Sequence, residues 1–149
     1  MNLPAAAATA ALTLAALTSA PSAQAEPFFA NYSLNIEGRY DFHTWTWAVT
    51  YCIPDTADCA RIKAIPMPTA KAFEYSGDAH LVDGRYTLTV DVPDGLRCGN
   101  VYYGPVIPTR DVYTWDADSL RGTMTSSFAA GCDGAPGGAF TYPFALVRL

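Results

Sequence analysis

The residues of this chain best suited to nucleophilic chemistry are four cysteines and two histidines, His43 and His80. A nucleophile needs a base beside it, and the base needs a third group that orients it. His43 stands at the tip of a predicted hairpin, and His80 lies at an outward position between Ala79 and Leu81. No G-x-S-x-G motif is present. Both histidines are therefore predicted to lie on the surface, and we expect no catalytic residue and no enzyme activity.

Turns explain several carboxylates of the chain. Four aspartates stand next to glycine or proline, where a side chain that caps a turn is common: Asp55, Asp83, Asp94 and Asp133. Glu37 and Glu74 remain on predicted strands as candidates for the paired carboxylates of a glycosidase. A hydrolase or transferase is thus an alternative that depends on one of these glutamates, or a histidine, lining a pocket.

Metal chemistry finds little support in the spacing of the ligands. Asp111, Asp116 and Asp118 could surround calcium, but they lack a D-x-D-x-D-G loop and a following glutamate. The spacing C-x6-C does not match a zinc motif. We predict an Asx turn around Asp116, no metal site and no cofactor.

The start of the chain reads as an export signal. An apolar run from Ala5 to Leu17 is too short to span a bilayer, and Ala23-Gln24-Ala25 forms a small-x-small cleavage site. We predict a signal peptide over residues 1–25, although Met1–Pro4 carries no lysine or arginine. Residues 26–149 then form a single secreted domain without a membrane span.

The four cysteines lie in the predicted mature part and are typical of an oxidising compartment. Three pairings are possible. We favour Cys52 with Cys59, which would close a turn, and Cys98 with Cys132, which would tie two loops together. The chain has a net charge of −5 and only nine basic residues, spread singly. This excludes the basic stripe that a nucleic-acid-binding protein needs.

Alternating side chains predict the elements that must position these groups. In the segment 44–51, Trp45, Trp47 and Val49 share one face of a strand. Two tryptophans on one face could stack on sugar rings, but filling the core of a small β domain explains them better. Similar alternation recurs about eight times, and no amphipathic helix is evident. The sequence therefore predicts an all-β fold, a small antiparallel sandwich or barrel of about eight strands with two disulfides.

Strand boundaries follow from the same pattern and from the breakers. We predict a strand over 32–42 with Tyr40 and Phe42 on its apolar face and Arg39 on the opposite one. Other predicted strands cover 59–65, 85–92, 112–115 and 120–128, together with a last strand that contains residues 140–146. The motifs 66–68 and 93–95 should end the strands before them, and 130–138 should be a glycine-rich loop.

The segment 98–110 is the least regular piece, with two glycines and two prolines, yet it is rich in apolar residues. An apolar loop of this kind indicates a binding surface. The predicted binding residues are Tyr102, Tyr103 and Arg110. We expect a non-enzymatic domain that binds a ligand, for example a protein, outside the cell or at the envelope.

Two resemblances accompany these patterns. Trp47, Val49, Cys52 and Cys59, the Asp83–Tyr86 hairpin and Tyr113-Thr114-Trp115-Asp116 resemble the small secreted actinobacterial proteins without an assigned activity. That resemblance implies an exported, disulfide-stapled β fold. Residues 98–106 are similar to the reactive loop of the secreted subtilisin inhibitors. This second resemblance implies an alternative function, a serine protease inhibitor that presents residues 98–103. The chain departs from the inhibitors by one extra residue before the proline and by a much shorter first disulfide loop.

Overall fold

The computed structural model describes residues 28–69 and 72–149, so the predicted signal peptide lies outside the described residues. Eight strands run antiparallel around a closed barrel, each paired with its neighbour in the sequence and the last with the first. The strands are β1 Asn31–Ile36, β2 Thr44–Tyr51, β3 Cys59–Met67, β4 Tyr75–Val82, β5 Arg85–Arg97, β6 Val106–Asp116, β7 Arg121–Ala130 and β8 Pro136–Arg148. The all-β prediction is confirmed, and of its two architectures the chain forms the barrel.

The alternating residues fill the inside of the barrel, because successive side chains of a strand point to opposite faces. Trp47 and Trp115 are fully buried at its centre, with ring centroids 5.5 Å apart. Trp45 is also buried, so the prediction that both tryptophans of β2 belong to the core is confirmed. Phe28 covers one end of this core and stacks on Tyr86.

Both disulfides have the favoured pairing, Cys52 with Cys59 and Cys98 with Cys132. The first closes the turn between β2 and β3. The second joins the β5–β6 loop to the β7–β8 loop. Among the described residues no cysteine is left free, and no helix is long and apolar enough to cross a bilayer.

Because the strands alternate in direction, the connections fall at two ends of the barrel. We call the end with the β1–β2, β3–β4, β5–β6 and β7–β8 connections the mouth. The opposite end carries the short turns, including that after Asp116. There the Asp116 carboxylate accepts hydrogen bonds from the main-chain N–H groups of Asp118 and Ser119, which confirms the predicted Asx turn. These bonds lower the pKa of Asp116.

Several predicted boundaries were wrong at the mouth. β1 ends at Ile36, and residues 37–43 form a loop in which Gly38 turns the chain at a φ of +79°. β3 continues through Pro66, which lies opposite Trp45. β5 passes through residues 93–95 as a bulge, where three residues of β5 face Pro108 alone, and ends at Arg97. The loops at 98–105 and 131–135 are shorter than predicted because β6, β7 and β8 extend into them.

Candidate functional site

Aromatic rings gather at the mouth of the barrel. Tyr40 contacts Phe42, Phe42 contacts Tyr102, and Tyr102 contacts Tyr103, with ring centroids between 4.8 and 4.9 Å apart. We call these four residues the ring cluster. Tyr103 is 76% exposed and Tyr40 is 57% exposed, whereas Phe42 and Tyr102 are half-buried beneath them. The cluster thus has an inner layer that supports an exposed outer layer.

Arg97, the last residue of β5, fixes the position of this cluster. Its guanidinium donates a hydrogen bond of 2.6 Å to the carbonyl oxygen of Tyr102. The same group lies 5.8 Å from the ring centroid of Phe42, within the range of a cation–π interaction. A second nitrogen is 3.9 Å from the Asp94 carboxylate. Arg97 therefore links the long β5 strand, the loop before β2 and the loop after β5.

A groove of about 390 Å³ runs beside the ring cluster. Its lining residues are Ala72, Phe73, Asp94, Arg97, Tyr102, Tyr103, Gly104 and Val106. Phe73 is 58% exposed and adds a further ring to this edge. Burial raises the pKa of the Asp94 carboxyl, although Arg97 and a hydrogen bond from the Phe73 main-chain N–H lower it in part. The groove is apolar on its outside and charged at its base.

The predicted binding residues do not all meet at this place. Tyr102 and Tyr103 line the mouth groove together. Arg110 lies in strand β6 and not in the loop, so its predicted place was wrong; it pairs with Asp91 at 3.2 Å and lines a different groove of about 610 Å³. The cause is that β6 begins at Val106, six residues before the predicted strand over 112–115.

His43 is buried, which makes the prediction of a surface histidine wrong at this position. Asp41 accepts hydrogen bonds from the main-chain N–H of His43 and, at 2.7 Å, from the indole N–H of Trp45; the imidazole Nδ1 of His43 lies 3.2 Å from the same carboxylate. The imidazole stacks on the Tyr102 ring with centroids 6.0 Å apart. This pair resembles an oriented base, but its imidazole is only 3% exposed beneath the ring cluster, so access would require Tyr102 to move.

The other candidates are spread over the surface. His80 is exposed, as predicted. Glu74 is exposed and pairs with Lys63 at 3.0 Å, and Glu37 is exposed. Asp111 lies inside the barrel and apart from the turn of Asp116, so the three aspartates weighed for calcium do not share one loop. We find no arrangement of these groups that forms a hydrolytic centre among the described residues.

The segment resembling an inhibitor loop is turned and not extended. Residues 98–100 form a 3-10 turn, in which Gly99 and Asn100 have φ values of +67° and +52°. An inhibitor that mimics a substrate presents an extended main chain to the protease. Inhibition stays a prediction, which a titration of subtilisin-like and trypsin-like proteases with the purified chain would test.

Sequence reasoning missed several residues of the mouth, namely Arg39, Phe73, Asp94 and Arg97. Asp94 was explained as a turn aspartate, and Arg39 was placed on the outer face of a strand that ends before it. One signal was available, because Arg97 directly precedes Cys98 and so had to lie near the second disulfide.

A disulfide-linked, closed eight-stranded barrel with a ring-lined mouth is the class of protein that these features define. Comparisons with protein-family models, with curated proteins and with solved structures find no match to the chain.

Proposed function

We propose that this chain is an exported, non-enzymatic domain that binds a partner protein through the mouth of its barrel. The observation that supports this most is the exposure of Phe73 and Tyr103 along one groove, with the exposed Tyr40 at the other end of the adjoining ring cluster. Exposed apolar side chains that are contiguous, with polar residues at their rim, are typical of interaction sites. The two disulfides support folding in an oxidising environment.

The physical basis of the proposed binding is a supported aromatic surface. Tyrosine offers a large contact area with few rotatable bonds, so little side-chain entropy is lost when a partner covers it. Tyr102 contacts Tyr103 and Phe42 contacts Tyr40, so each exposed ring is supported by a half-buried one. The Cys98–Cys132 disulfide holds the loop that carries Tyr102 and Tyr103. A preorganised surface of this kind lowers the free energy needed for ordering on association.

The proposal is tested by Tyr103→Ser, with Tyr51→Ser as the matched control. Tyr51 is 58% exposed and lies at the opposite end of the barrel. The wild-type mature chain is used for affinity capture from culture filtrate and envelope extracts. We expect Tyr103→Ser to lose at least about tenfold of the captured partner, a loss of roughly 1.4 kcal/mol, while Tyr51→Ser keeps it.

Melting temperatures of both variants distinguish binding from stability. Tyr103 is mostly exposed, so its replacement should change the melting temperature by only a few degrees. A partner that is captured equally by the wild type and by Tyr103→Ser would contradict the proposal, as would a large loss of melting temperature that accounts for the lost capture.

A further inference from the structure

A half-buried arginine, Arg39, connects the mouth to the interior of the barrel. Arg39 comes from the loop of residues 37–43, which we call the mouth loop. Its guanidinium donates a hydrogen bond of 2.6 Å to the carbonyl oxygen of Gly95 and lies 3.6 Å from the sulfur of Met124. Met124 and Gly95 are both buried, so the guanidinium reaches past the rim into the barrel.

Asp111 is a buried carboxylate whose charge acts on Arg39, and it is 1% exposed. Thr109 and Ser126 both donate hydrogen bonds to its Oδ1, at 2.7 and 2.6 Å. Its Oδ2 has no hydrogen-bond partner among the described residues. Ser126 lies opposite Asp111 in the β6–β7 ladder, and Met124 lies two residues along on the same face. Met124, whose sulfur contacts Arg39, therefore lies next along β7 to the serine that donates to the carboxylate.

Gly95 contacts the Arg39 guanidinium from strand β5. A Cβ atom at Gly95 would collide with Thr109, the residue that donates to Asp111. The glycine thus lets the β5 bulge come close to β6 and brings its carbonyl oxygen to the guanidinium. Burial alone would lower the pKa of Arg39, but Tyr113, Asp111 and Asp41 outweigh it and raise the pKa. Arg39 is therefore a positive charge held near carboxylates and tyrosine side chains.

The mouth loop itself is held mainly by side chains. Beyond the bond from the Glu37 N–H to the Pro143 carbonyl, no main-chain to main-chain hydrogen bond ties residues 38–42 to the rest of the described chain. Segments with few main-chain hydrogen bonds open at lower free energy than the strands around them. Release of Arg39 would free the Gly95 carbonyl oxygen and the space beside the Met124 sulfur.

We propose that the barrel mouth contains a guanidinium-binding site, formed by the Gly95 carbonyl oxygen and the Met124 sulfur and favoured by the charge of the buried Asp111. Arg39 of the mouth loop occupies this site, and a guanidinium of a ligand can occupy it when the loop opens. The site already holds this chemical group, because it combines a carbonyl acceptor with the negative charge of a buried carboxylate. It lies beneath the ring cluster and does not depend on the partner proposed above.

The test is chemical rescue of Arg39→Ala with N-ethylguanidinium, which replaces the atoms that the substitution removes. Arg110→Ala is the control, since the Arg110 side chain is 62% exposed. We expect Arg39→Ala to melt several degrees below the wild type and to regain most of that loss, saturably, at millimolar N-ethylguanidinium. Sodium chloride at the same ionic strength should not restore it, and Arg110→Ala should show neither the loss nor the rescue.

Two further measurements make the result decisive. Asp111→Asn in the Arg39→Ala background should weaken N-ethylguanidinium binding at least about tenfold. In the wild type Arg39 competes for the site, so the apparent affinity should also be at least about tenfold weaker than in Arg39→Ala. Equal affinity of the wild type and Arg39→Ala, or no saturable rescue, would overturn the proposal.

Should Arg39→Ala fail to fold in buffer alone, refolding replaces the melting experiment. Recovery of folded barrel with N-ethylguanidinium but not with sodium chloride supports the site. Recovery with neither compound overturns it. None of these arms uses the partner protein, so failure here leaves the proposed function to its own test.

Discussion

Tyr75 is the residue at which the buried polar groups of the barrel meet. Its hydroxyl accepts a hydrogen bond of 3.1 Å from the indole N–H of Trp47 and lies 3.0 Å from the hydroxyl of Tyr113. All three residues are buried, so none of these groups can turn to bulk water instead. Burial raises the pKa of Tyr75 to about 12, because it outweighs these hydrogen bonds, which lower the pKa. One hydroxyl therefore satisfies two neighbours.

Replacing Tyr75 by phenylalanine should expose the importance of that hydroxyl. The change keeps the ring but leaves the Trp47 N–H and the Tyr113 hydroxyl unpaired, which should lower the free energy of unfolding by about 1–3 kcal/mol. Urea denaturation measures this, with Tyr51→Phe as the control because Tyr51 is exposed. Equal midpoints for both variants would show that the Tyr75 hydroxyl does not stabilise the fold.

The protonation of Asp94 should make the stability of the fold depend on pH. Its pKa is raised by burial above the ordinary value of 3.8, so the folded chain holds the proton more tightly than the unfolded chain does. The stability that this proton contributes is complete below pH 3.8 and is lost as the pH rises through the folded pKa. Ionised Asp94 therefore makes the native state less stable at neutral pH than a neutral side chain would.

Asp94→Asn tests this sign, because asparagine cannot ionise. The free energy of unfolding of the variant, relative to the wild type, should increase as the pH is raised from acid to neutral. Denaturation curves at several pH values measure it, and Asp91→Asn, which removes an exposed carboxylate from the same strand, is the control. A parallel increase in both variants would attribute the effect to net charge instead.

At the scale of elements, the sequence predicted what two-residue alternation can report. β2 and the first part of β5 follow directly from their apolar faces, because one side of each faces the core. Alternation continued past Ile36, however, and there the pattern misled: Gly38 turns the chain, Arg39 points inward and Tyr40 outward. A local pattern does not report that a loop fills the open end of a barrel.

The candidate site was predictable only in part for a related reason. Tyr103 was recognisable as an apolar residue in an irregular segment, and its exposure fits that reasoning. Phe73 joins it from the β3–β4 connection and Arg97 from the end of β5. No local pattern in the sequence brings Phe73 to this place. The prediction for Arg110 was wrong because the prolines and glycines of this segment predict a loop. In the structure, β6 accommodates Pro108 opposite the bulge of β5.

For the whole molecule, the two disulfides should contribute unequally. Cross-links restrict the unfolded chain more when they close longer loops. The chain-entropy estimate is about 2.5 kcal/mol for the separation of 7 residues between Cys52 and Cys59 and about 4 kcal/mol for the separation of 34 between Cys98 and Cys132. Removal of the second should therefore destabilise the barrel more.

Paired replacements by alanine measure this difference. Cys98→Ala with Cys132→Ala should lower the free energy of unfolding by roughly 1–2 kcal/mol more than Cys52→Ala with Cys59→Ala. Urea denaturation of both double variants gives the two values under the same conditions. A larger loss from the pair at residues 52 and 59 would show that the native-state packing of these buried sulfurs outweighs chain entropy.

The pairing of β1 with β8 also constrains how this molecule comes into being. Leu34 lies beside Leu146, and the Leu149 N–H bonds to the Asn31 carbonyl, so the seam joins segments more than a hundred positions apart along the polypeptide. The barrel cannot close until β8 is available to pair with β1, whichever strands form first. Until β8 pairs with β1, the outer edges of the unclosed sheet stay open to pairing with other chains.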